Sequence, residues 1–153
     1  MEKAKGKGFL KVVGILMIIF GALGIIVVGI IGLVAVMAST AADSLLESGG
    51  VITAAVIVAS ILAIIGGVIE LITGIIGVKN CNKPENWKSC MIWGIISLAL
   101  EVLSLILSFV GSNASAGSII INIIGGVAMP VLFIIGAKLN QKQYFEMTQN
   151  NAQ

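Results

Sequence analysis

Apolar residues run almost unbroken through four stretches of this chain, at about 9–38, 51–78, 89–110 and 118–137. Each reaches or exceeds the roughly 20 residues that an α-helix needs to cross the hydrocarbon core of a bilayer. The runs are too long for strands and lack a two-residue alternation. The pattern predicts an all-α polytopic membrane protein, a four-transmembrane-helix bundle. The bundle forms a single domain over 1–153, with a polar cytoplasmic tail at 139–153 that extends the fourth helix. The first run is far longer than the 7–15 residues of a secretory core segment, so it reads as a retained anchor.

Polar positions between the runs set the orientation. Lysines precede the first run (Lys3, Lys5, Lys7, Lys11), fill the 79–88 loop (Lys79, Lys83, Lys88) and follow the fourth run (Lys138, Lys142). The 39–50 and 111–117 loops hold none, and the former carries Asp43 and Glu47. The positive-inside rule then places both termini and the 79–88 loop in the cytoplasm. Trp87, Trp93 and Tyr144 fall near the same boundary, as an aromatic belt does. Pro84 suits the first turn of the third helix. The acidic stretch 42–47 is read as a continuation of helix one. Asn113-Ala114-Ser115 matches a glycosylation acceptor but sits in too short a loop for use.

Composition agrees with lipid as the main solvent. Hydrophobic residues make up 58% and charged residues 10%, against about 25% charged in a soluble domain. The lysines flank apolar runs and form no single basic face, which argues against nucleic acid. No histidine is present, so imidazole catalysis is excluded. Cys81 and Cys90 lie on the reducing side and are expected as free thiols. Two cysteines without histidine make no structural zinc site. No metal, no cofactor and no enzyme activity is expected. The absence of arginine among many lysines and isoleucines points to an AT-rich microbial genome and a microbial cell membrane.

Glycine supplies 19 of 153 residues, above the usual level of about 7%. In lipid, small residues let helix backbones approach. Gly14, Gly21 and Gly32 share one face of helix one. Ala59, Ala63, Gly67, Glu70, Gly74 and Gly77 follow steps of four and three along helix two, and Cys90, Gly94, Ser97, Glu101, Ser104, Ser108 and Gly111 do so along helix three. Gly125, Gly126 and Pro130 interrupt helix four, where a kink is expected. Ile64-Ile65-Gly66-Gly67-Val68 recurs as Ile123-Ile124-Gly125-Gly126-Val127, and Ile75-Ile76-Gly77 with Lys79 recurs as Ile134-Ile135-Gly136 with Lys138. A duplicated helical hairpin accounts for this, with Met129 standing at the position of Glu70.

Glu70 and Glu101 are the candidate chemistry. An intramembrane carboxylate is costly and marks a functional site by default. Counting from Lys79 and Lys88, they lie about 13 Å and about 20 Å deep. Both fall in small or polar stripes, so both are expected to face other helices. Three roles fit: neutral carboxyls donating hydrogen bonds, a proton or cation site on a translocation path with Ser97 and Ser104 beside it, or register-setting contacts across an oligomer interface.

The expectation is a protein that acts through helix packing and through assembly as a homo-oligomer or with a membrane-protein partner. A proton- or cation-linked channel or transporter using Glu70 and Glu101 is the alternative. Rotor-ring proteolipids resemble the chain in size, glycine content and buried carboxylates, but place their termini outside. Small multidrug transporters resemble it in helix number, but carry their glutamate on the first helix.

Overall fold

The computed structural model describes residues 6–46, 50–111 and 126–150. Among them the chain is all-helical, with four α-helices and no strand: α1 (Lys7–Leu46), α2 (Val51–Asn80), α3 (Trp87–Gly111) and α4 (Ala128–Asn150). Three helices, α1 to α3, are long and apolar enough to cross a membrane. The first part of the expected fourth run, the Asn113 acceptor, Gly125 and the side chain of Ser108 lie outside the described residues.

The helices outrun the apolar runs because polar residues can continue a helix that apolar residues begin. At about 1.5 Å per residue the 40 residues of α1 span about 60 Å, twice a core of about 30 Å. The polar stretch from Ser39 stays helical to Leu46, in line with the continuation of helix one expected over 42–47. Its hydroxyls bond back onto the helix instead of breaking it: Ser39, Thr40 and Ser44 donate to the carbonyls of Val36, Met37 and Ala41. Gly50 then turns the chain in the left-handed region at φ 83°, where a side chain would be strained. α2 has no capping side chain at its own start. The buried Asp43 carboxylate supplies that need from α1 and accepts the Thr53 amide at 2.9 Å.

At the other end, Pro84 opens a separate 3₁₀ turn, Pro84–Asn86, ahead of α3 and not the first turn of α3 itself. The Asn86 amide donates to the Asn80 side-chain oxygen at 3.0 Å, which closes the connection. α4 is preceded by π-wound Gly126 and Val127, a form common where a helix is interrupted. Pro130 is the third residue of α4 and is buried.

The dominant contact is an antiparallel crossing of α1 and α2. A methyl group on Gly14 would lie 2.9 Å from the Gly74 carbonyl oxygen, one on Gly21 3.0 Å from that of Gly67, and one on Gly32 3.1 Å from the Ser60 hydroxyl. The seam on α2 is thus the strict heptad Ser60, Gly67, Gly74. Ala59 and Ala63, expected to share this packing stripe, are exposed. Steps of four and three drift around a 3.6-residue helix, and these alanines lie about 100° and about 60° round from Ser60.

Packing is densest at the lysine-rich end. Leu10, Val13, Met17, Cys81, Cys90, Phe133 and Ala137 form the buried core there. Gly6, Cys81 and Asn140 meet at this end: the Asn140 amide reaches the Cys81 carbonyl at 3.5 Å, and a methyl on Gly6 would lie 2.7 Å from Asn140 Oδ1. α4 continues past Lys138 as a regular helix to Asn150, and buries Asn140 and Gln143 beneath its neighbours. Both cysteines are free and buried.

Candidate intramembrane carboxylate site

On α2, residues 70, 73 and 77 lie about 60° to 120° round from the Gly67–Gly74 seam. That face is turned from α1 toward α3 and α4. Thr73 is fully buried on it. Its hydroxyl donates to the Ile69 carbonyl at 2.8 Å and lies 3.5 Å from the Trp93 carbonyl of α3. One turn further on, Gly77 is covered by the Phe133 ring, whose edge occupies the space of a missing side chain. Glu70 stands one turn to the other side of Thr73, half-buried.

On α3, Cys90, Gly94 and Ser97 are buried, Glu101 is half-buried and Ser104 is exposed. Ser104 therefore does not line an enclosed track with Ser97. Gly94 receives α4: a methyl there would lie 2.9 Å from Ile134 and 3.0 Å from Phe133. Glu101 continues this face and lies against the start of α4. A methyl on Gly126 would lie 2.6 Å from Glu101 Oε2, so the glycine makes room for the carboxyl.

Glu70 and Glu101 border the same packed region, on α2 and α3. They come from different helices and lie within electrostatic reach of each other. No described lysine lies beside them, since all gather at the end of the bundle where α1 begins and α2 ends. Both occupy the rim of the packed region. Below them, Thr73, Gly74, Gly77, Gly94 and Ser97 are buried; beyond them, Ala59, Ala63, Leu103 and Ser104 are exposed. No group of three or more metal-binding side chains occurs among the described residues. The arrangement suits a carboxyl packed against a closely approaching backbone at Gly126, with a second carboxyl within electrostatic reach.

Sequence reasoning missed Phe133, Thr73 and Asn140. Phe133, Gly136, Asn140 and Gln143 follow steps of three and four along α4 and form its buried face. That spacing was a usable signal, obscured by the polar character of the last two residues.

No known family, curated protein or solved structure matches the chain.

Proposed function

We propose that the chain is a four-span integral membrane protein, with both termini and the 79–88 loop cytoplasmic, which acts through assembly with further copies and not through catalysis. The clustering of Gly6, Cys81 and Asn140 at one end supports a shared side for these three segments. Burial of Phe133, Gly136 and Ala137 against α1 to α3 supports α4 as the inner part of a fourth span.

One observation carries the assembly reading. The face of α2 that α3 and α4 cover at Thr73 and Gly77 continues outward as Ala55, Ala59 and Ala63, and there it is exposed. A small residue at every fourth position is the spacing that lets two parallel helices approach in lipid. In a background lacking Cys81 and Cys90, Ala59→Cys is expected to form a disulfide-linked dimer on mild oxidation in membranes, while Val58→Cys on a neighbouring exposed face gives markedly less. Equal cross-linking at the two positions, or none at either, removes the reading.

The paired glutamates favour a second reading, a proton- or cation-linked path. On that reading flux into proteoliposomes is lost in both Glu70→Gln and Glu101→Gln, with insertion unchanged. Native protein that gives no flux above empty vesicles eliminates it.

A further inference from the structure

The lysine-rich end carries an exposed patch that the fold does not use. Lys138, Lys142 and Phe145 follow steps of four and three on α4, so they share one outward stripe. Val131 and Ile135 continue that stripe toward the middle of the helix and are exposed as well. Asn140 and Gln143 on the opposite side are buried. Along about 21 Å the stripe therefore passes from aliphatic to cationic to aromatic. Phe145 remains 51% exposed although it touches two rings: Trp87 at 6.2 Å and Tyr144 at 5.8 Å between centroids. The Lys88 ammonium lies over the Trp87 ring, 5.8 Å from its centroid.

The aliphatic and cationic parts of the stripe follow the order of acyl chain and phosphate along a phospholipid. Aliphatic side chains meet the acyl chain, and ammonium groups meet the phosphate. The Trp87 indole, with an apolar body and a polar tip, suits the headgroup layer, and the apolar Phe145 ring packs against it. Lysine stems cover apolar surface while their charges reach outward. The charge balance of this end selects the sign of the headgroup: seven described lysines face two described carboxylates, Glu85 and Glu146. A juxtamembrane cluster of this kind attracts anionic lipid.

We propose that the Lys88, Trp87, Phe145, Lys142 and Lys138 patch is a binding surface for the headgroup of an anionic phospholipid. The proposal rests on the membrane reading above, with this end at the inner leaflet. It is tested in a Trp93→Phe background, where Trp87 becomes the sole tryptophan. The full chain is placed in phosphatidylcholine vesicles containing an equal mole fraction of either brominated phosphatidylglycerol or brominated phosphatidylcholine. Trp87 fluorescence is expected to be quenched more strongly by the anionic lipid, corresponding to a local enrichment of about tenfold. In Lys88→Gln/Lys138→Gln/Lys142→Gln the preference should vanish, while quenching by brominated phosphatidylcholine persists. Equal quenching by the two lipids in the native patch overturns the proposal and leaves the membrane reading standing. No quenching by either lipid overturns the membrane reading as well.

Discussion

Gly74→Leu is expected to separate α1 from α2 and to cost about 3 kcal/mol of stability, read as loss of the cooperative thermal transition in detergent or nanodiscs. The reason is the identity of the atoms in the way. A first side-chain carbon at residue 74 would lie 2.6 Å from the Gly14 carbonyl oxygen and 2.9 Å from the Ile18 amide nitrogen. Both are backbone atoms of a continuous helix and cannot rotate aside as a side chain would. The clash can be relieved only by moving α1 as a body, and that motion also opens the Gly21–Gly67 and Gly32–Ser60 approaches. Gly29→Leu supplies the control. Gly29 is in the same kind of apolar helix, exposed, with no atom within 4 Å of an added carbon. Its replacement is expected to change stability by no more than about 0.5 kcal/mol. Similar losses at the two positions would mean that helix propensity or insertion, and not the crossing, governs the effect.

The contrast between these two glycines marks what the sequence made legible. Hydrophobic run length was enough to predict the first three helices, and their starts agree within two residues, at Lys7, Val51 and Trp87. It said less about where α1 ends, because Ser39, Thr40 and Ser44 satisfy their hydroxyls on the preceding turn and leave α1 intact. Glycine spacing pointed to close approach at Gly14, Gly21, Gly67 and Gly74, where the backbones do meet. It did not show that Ala59 and Ala63 lie off the α1 seam, since membership of a broad small-residue stripe does not fix which edge of the stripe a neighbour covers. A single residue type also concealed different partners. Gly67 and Gly74 face α1, Gly77 faces a phenylalanine on α4, and Gly126 faces a carboxyl on α3.

The glutamates were legible as an anomaly and were expected near each other, but the sequence does not fix how closely they approach. Their depth along each helix could be counted, whereas their approach depends on how α2 and α3 are rotated about their axes. That rotation is set by Thr73 reaching the Trp93 carbonyl and by Phe133 filling the space between Gly77 and Gly94. Phe133 stands at the same offset from Gly74 that separates Lys138 from Lys79 in the apparent repeat. Where the first copy has a glycine for backbone contact, the second has a ring that inserts between two helices. The repeat predicts similar helices and says nothing of their different modes of docking.

That inserted ring leads to a coupled prediction. Phe133→Ala is expected to destabilise the protein by about 3 kcal/mol, at the low end for a buried phenylalanine, because in lipid the loss is mainly of van der Waals packing and less of apolar transfer. Gly77→Ala alone is also expected to destabilise, by about 1–3 kcal/mol, since its methyl overlaps the Phe133 ring. In the Phe133→Ala background the same methyl enters the space the ring has vacated. Gly77→Ala should then be nearly neutral, and the double variant should be more stable than the sum of the single losses by about 1 kcal/mol or more. Thermal unfolding of the four proteins in nanodiscs measures this directly. Additive losses would mean that Phe133 and Gly77 do not share one contact in the folded protein. With coupling established, the same cycle at Gly94 tests the other side of the ring, where a methyl would lie 3.0 Å from Phe133 and 2.9 Å from Ile134. The ring touches both the helix that carries Glu70 and the helix that carries Glu101, so it is the contact through which α4 holds those two helices in their relative rotation. Loss of the ring is therefore expected to disturb any property that requires the two carboxyls to remain within reach of each other.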